Sequence, residues 1–222
     1  MITSTSCTVS ILSASWLLTS HSCLATADLD PAHWVIFGGP SGPDATKQGT
    51  QIRMVEAIVP HPRSSRGKHL EEQDLALVRL QEPLVFSDRV SAVCLAEEEV
   101  EEVQVCVTAG WSSSGEGLSF RQYLTSSPLV DQRTCNSSTL SSVLCAEEED
   151  GECREDGGAP LLCLSSTSWS LAGVRSRPGC GGKVARPGRY SDVVSARQWV
   201  LDTMGRHTTR DGTLGEGRPR AL

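Results

Sequence analysis

Nine cysteines among 222 residues constrain this chain more than any other feature. So many thiols fit an oxidising compartment, where they close into bridges that stabilise the fold chiefly by restricting the unfolded chain. An odd count leaves one cysteine without an internal partner, and spacing alone does not set the connectivity of the rest. In other respects the chain has the composition of a globular domain. At 38% hydrophobic and 21% charged it can bury a sizeable core. No apolar run reaches the roughly 18 residues expected of a membrane-spanning helix. A net charge of -7 argues against a nucleic-acid footprint. The acidic runs Glu97 to Glu102, interrupted by Val100, and Glu147 to Asp150 lack the alternating oxygen-ligand spacing of a calcium loop and read as solvated loops. No metal or cofactor is expected.

Short apolar segments rich in branched residues recur between turn clusters. Ile52 to Val59, Leu75 to Leu80, Gln104 to Thr108 and Trp169 to Val174 read as strands, with loops at Gly38 to Pro43 and Ser112 to Gly117. Taken alone, this pattern predicts an all-β barrel or sandwich. Near the end, Ala196, Trp199, Val200 and Met204 share one helical face, and Gly205 is placed to cap it. The glycine- and arginine-rich stretch over 205–222 reads as a disordered polar tail.

Residues 153 to 163 run Cys-Arg-Glu-Asp-Gly-Gly-Ala-Pro-Leu-Leu-Cys. This segment resembles the nucleophile block of trypsin-like serine proteases, Cys-x-Gly-Asp-Ser-Gly-Gly-Pro-Leu-x-Cys. Trp16-Leu17-Leu18-Thr19-Ser20-His21-Ser22-Cys23 is similar to the family's histidine block, and Asp74-Leu75-Ala76-Leu77 to its aspartate block. The resemblance covers about residues 7 to 204. It implies an all-β fold, a double antiparallel β-barrel with a C-terminal α-helix, whose first N-terminal strand is missing from this chain.

It also implies that the chemistry is gone. Gly157 stands at the nucleophile position and has no side-chain oxygen with which to form an acyl-enzyme. Ser22 stands at the general base, with His21 one residue early and expected to face elsewhere. Asp74 is retained but has no histidine to orient, which makes it a structural remnant. Glu155 replaces an oxyanion-hole glycine and brings charge that opposes a developing oxyanion. At positions equivalent to the specificity pocket stand Gly151, Ser176, Arg177, Pro178 and Gly188. Gly151 offers no acid to select a basic side chain, and Pro178 has no amide hydrogen for an added strand. Asp156 is present, but the activation-generated amino terminus with which the family pairs it is not.

The resemblance would pair Cys7 with Cys23, Cys106 with Cys163, Cys135 with Cys145, and Cys153 with Cys180. Cys94 is left at a position the family often uses to tether an upstream chain. An abrupt start near Cys7 points to N-terminal truncation. A competing reading takes residues 1 to 27 as a signal peptide ending at Ala25 to Ala27, but that stretch lacks a basic n-region and its removal would discard Cys7 and Cys23. Asn136, in Asn136-Ser137-Ser138, is a possible glycosylation acceptor. Trp111 and Trp199 fall at core positions of the family. The expected function is that of a non-catalytic secreted or extracellular homologue that binds an unknown protein partner through the loops around the dead cleft. The alternatives are an active trypsin-like endopeptidase and a fragment of a longer multi-domain protein with no role of its own.

Overall fold

A computed structural model describes residues 6–39, 49–64, 73–100, 104–113, 120–135, 142–147, 156–165, 168–176 and 187–211. The first half forms β1 (Ser10–Ile11), β2 (Trp16–Thr19), β3 (Val35–Gly38), β4 (Gln51–Pro60) and β5 (Ala76–Leu80), with the short helix α1 (His21–Ala25) leaving β2. These strands build one sheet in the order β1-β2-β5-β4-β3. A bulge between Val55 and Ala57 lets β4 pair with β3 over its first residues and with β5 over its last, and so curls the sheet.

The second half forms β6 (Cys94–Leu95), β7 (Cys106–Ser113), β8 (Phe120–Ser126), β9 (Leu129–Val130), β10 (Val143–Ala146), β11 (Pro160–Ser165), β12 (Ser168–Arg175) and β13 (Gly188–Asp192), followed by α2 (Val193–Asp211). Its sheet runs β8-β7-β11-β12-β13-β10-β9, with β6 lying parallel beside β12. Two curled, mostly antiparallel sheets and a closing helix are the architecture expected from the resemblance.

Alternation along β2 and β5 explains how the halves meet. Leu17, Ala76, Val78 and Leu80 point into the core of the first sheet. Trp16, Leu18 and Leu77 point the other way, into a cluster shared with Leu171 and Val174 of β12 and Val193, Ala196 and Val200 of α2. Both faces of these strands are therefore covered, and each fully buried leucine contributes about 2 kcal/mol. The opening segment, whose Ala25 to Ala27 resembles a cleavage site, supplies β1, β2 and α1 to this arrangement.

Two expectations need correction. Helix α2 does not stop at Gly205 but runs on to Asp211, so residues 205–211 are helix rather than tail, and residues 212–222 lie outside the described set. Asp192 starts this helix, its carboxylate accepting from Val194 N at 3.0 Å and Ser195 N at 3.1 Å. Strand β7 also continues through Ser113, two residues into the expected loop at Ser112 to Gly117, because its ladder with β8 extends to the pair Ser113 and Phe120.

Outside the cores, β3 and β4 carry Val35, Phe37, Ile52 and Met54 exposed on one face, in the direct cross-strand pairs Val35 with Met54 and Phe37 with Ile52. Among the described residues, no helix is long and apolar enough to cross a membrane.

Candidate functional site

Asp74 lies just ahead of β5 and is 1% exposed. A carboxylate buried this deeply must be met by donors, and three are present. Ser22 N donates at 2.6 Å to Oδ1, while Ser22 Oγ at 2.6 Å and Ser20 Oγ at 2.8 Å reach Oδ2. Ser20 also caps α1, accepting from Cys23 N at 3.2 Å. From the second half, Ser191 Oγ accepts from Asp74 N at 2.9 Å. The carboxylate thus organises the start of α1, with Ser22 offering it both its amide and its hydroxyl. A serine hydroxyl hydrogen-bonded to a carboxylate has no basic nitrogen with which to take a proton from an attacking group. His21 is the first residue of α1 and is buried, and its Nδ1 has no hydrogen-bond partner among the described residues.

The turn at Gly157 and Gly158 is tied to both halves of the chain. Thr8 N donates to Gly157 O at 3.0 Å, and Gly158 N donates to Arg175 O at 2.9 Å. Gly158 has φ +90°, and a Cβ there would run into Thr8 O and Thr19 Oγ1. Glycine is therefore required for the turn to seat against the first sheet. Gly157 is buried within this turn.

Asp156, one residue earlier, is buried and met by two hydroxyls and a backbone amide that the sequence had not connected to it. Thr8 Oγ1 donates at 2.5 Å, Trp111 N at 2.8 Å and Tyr123 OH at 3.1 Å. Burial pushes its carboxyl above the usual range, opposed by these three donors and by the charge of Arg175. Burial, reinforced by the neighbouring Asp156 carboxylate, also drives the Tyr123 phenol well above its ordinary value. Gly110 makes room for the cluster, since a Cβ there would overlap Asp156 Oδ2 and Tyr123 OH.

Of the expected pocket residues, Ser176 and Gly188 are described. Ser176 N donates to Arg189 O at 3.0 Å, and Gly188 opens β13. Gly151, Glu155, Arg177, Pro178, Asn136, Cys153 and Cys180 lie outside the described residues. Cys7 is bonded to Cys23, Cys106 to Cys163 and Cys135 to Cys145, while Cys94 carries an exposed free thiol. Trp199 packs against the shared core and lies edge-on to His61, with ring centroids 4.6 Å apart, whereas Trp111 is only half-buried.

Sequence comparison bears on the same blocks. The family profile described as Trypsin matches residues 1–200. A human protein, Transmembrane protease serine 5, is 33% identical over 213 residues, an overlap that covers 89% of this chain and 46% of that protein. The chain therefore spans about half the length of this relative. The profile takes in both sheets, all three observed bridges and the turn at Gly157, and on that footing the chain belongs to the trypsin-like serine protease family.

Proposed function

We propose that this chain is a non-catalytic member of its family and acts, in an extracellular setting, by binding another protein. The observation that carries the reading is the pairing of Asp74 with Ser22. The carboxylate that would orient an imidazole is occupied by hydroxyl and amide donors, and across the cleft Gly157 has no atom with which to attack. The retained turn, bridges and cores support a role for the scaffold itself, because loops on a rigid framework can change recognition without unfolding it. The exposed apolar strip of Val35, Phe37, Ile52 and Met54 favours a protein partner, since contiguous apolar surface of this kind marks interaction sites. The free, exposed thiol of Cys94 is compatible with a covalent link to another chain.

One observation favours a second reading. The relative at 33% identity carries the word protease in its name, and an active endopeptidase would be the function inherited from it. That reading needs a replacement nucleophile and base, and His21 makes no hydrogen bond to Asp74.

The test is labelling of the purified protein with a serine-directed phosphonate, together with hydrolysis of peptide esters. Neither labelling nor turnover is expected. Stoichiometric labelling, or turnover abolished by Ser22→Ala, would overturn the non-catalytic reading.

A further inference from the structure

Two buried carboxylates bind across the seam between the halves, and one disulfide sits beside donors of both. Thr8 Oγ1 donates to Asp156 Oδ1 at 2.5 Å and Thr8 N to Gly157 O at 3.0 Å, which ties this residue of the first half to the turn of the second. From the first sheet, Thr19 Oγ1 of β2 donates to Thr8 O at 2.6 Å. Ser22 gives its amide and its hydroxyl to Asp74, whose own amide donates to Ser191 Oγ in the second half. Cys7 precedes Thr8, Cys23 follows Ser22, and the two cysteines are bonded to each other. A single covalent link therefore lies one peptide bond from the residue that meets Asp156 and one from the residue that meets Asp74.

The two ends of this bridge are held unequally. Cys23 is fixed within α1, where its amide donates to Ser20 Oγ at 3.2 Å. Cys7 and Thr8 precede β1 and belong to no strand. The bridge and the bonds of Thr8 hold them in place of a ladder. Cutting the bridge would return conformational freedom to this end first, because the cross-link closes a sequence separation of 16 residues. Access differs too. Cys23, Cys106, Cys163, Cys135 and Cys145 are buried, whereas Cys7 is half-buried. Exchange requires that a thiolate reach a sulfur, so Cys7 is the point of entry among the three described bridges.

We infer that the bridge between Cys7 and Cys23 is a redox-sensitive clasp: a dithiol reductant that cuts it frees Thr8 from Asp156 and loosens the turn at residues 156–158, while the rest of the fold stays closed. The reductant's first thiolate attacks Cys7 Sγ, and the bond between the cysteines breaks with Cys23 leaving as a thiolate that takes up a proton. The reductant's second thiolate then displaces Cys7 from the mixed disulfide. The protein gains two electrons and two protons, and the dithiol loses them as it closes into a disulfide. The inference goes beyond the non-catalytic reading and does not rest on it, since it concerns how the halves are joined.

The experiment uses the full chain with the exposed thiol of Cys94 alkylated beforehand. The protein is reduced with graded dithiothreitol, new thiols are trapped with a second alkylating reagent and mapped by mass spectrometry, and amide hydrogen exchange is followed on the same samples. Cys7 and Cys23 should be trapped before Cys106, Cys163, Cys135 and Cys145. In that protein the amides of Thr8 and Trp111, which donate to Gly157 and Asp156, should exchange roughly a hundredfold faster, the factor that follows from opening a loop of this length. Amides of β10 should be unchanged, and reoxidation should restore the original rates. Thr8→Val keeps the bridge but removes the hydroxyl that reaches Asp156, so reduction should then accelerate the Trp111 amide far less. Earlier opening of another of these bridges, or unchanged exchange at Thr8 and Trp111, would overturn the inference. Equal acceleration in β10 would also overturn it, by showing that the bridge only stabilises the fold as a whole. An undiminished effect in Thr8→Val would refute the route through Thr8.

Discussion

Asp74 is buried just ahead of β5, and its partners define what it does in the fold. It accepts from Ser20, from the Ser22 hydroxyl and from Ser22 N, none of them basic, and through its own amide it reaches Ser191 in the other half. We expect Asp74→Asn to lower unfolding free energy by about 1–3 kcal/mol, the cost of leaving buried donors facing an amide, and to leave esterase activity at background. Urea denaturation checks the first part. An unchanged midpoint would mean that the donors find other acceptors. At this scale the sequence was legible where spaced blocks brought residues together, as for Ser22 beside Asp74. It was silent where a role depends on distant residues meeting. Thr8, Trp111 and Tyr123 converge on Asp156 only once β7, β8 and the turn are folded. Arg175 lay outside the predicted strand Trp169 to Val174, because its register opposite Tyr190 could not be seen from the chain.

Elements followed the apolar pattern closely where burial is two-sided. The predicted strand at Leu75 to Leu80 is found as β5 over Ala76–Leu80, and Trp169 to Val174 as β12 over Ser168–Arg175. Pattern failed where cross-strand pairing overrides propensity, as in the serine-rich end of β7, and where glycine was taken as a stop. Gly205 sits inside α2 with nothing within 4 Å of the position a Cβ would take, so the helix passes through it without using its freedom. Glycine within a helix costs backbone entropy relative to alanine. Gly205→Ala should therefore raise unfolding free energy by about 0.5–1 kcal/mol, measurable by thermal or urea denaturation. A loss of stability would show that the position needs glycine after all. Arg197 of the same helix also reaches Glu97, just beyond β6, at 2.6 Å, an exposed pair worth little by itself.

Across the whole molecule, the two sheets meet at one shared apolar cluster and a line of polar contacts. Thr8 reaches Asp156 and Gly157, Gln73 Nε2 donates to Ser195 Oγ at 2.6 Å, and Asp74 N donates to Ser191 Oγ. His61 lies near this seam, 8% exposed, edge-on to Trp199, with Nδ1 accepting from Arg63 N at 3.2 Å. Burial, reinforced by the Arg63 charge, pushes its pKa from 6.5 down to about 4. In the folded state the ring therefore stays neutral between these values, while the unfolded chain takes up a proton. Stability should fall as pH drops from about 6.5 to about 4, by on the order of 3 kcal/mol at most. Asp156 and Asp192, both raised by burial, act in the opposite sense, losing stability as pH rises above 3.8. They are common to wild type and His61→Gln, so the difference between the two urea midpoints, followed over this window, isolates His61. Parallel curves would refute its role.

The bonding of Asp74 also changes what a survey of natural variation in this chain would report. On the proposed non-catalytic reading, substitutions at this aspartate should appear as scarcity rather than as inert protein, because a chain weakened at the joint between its halves spends more time open to quality-control proteases. The position that most resembles machinery would then behave in a cell as a determinant of lifetime.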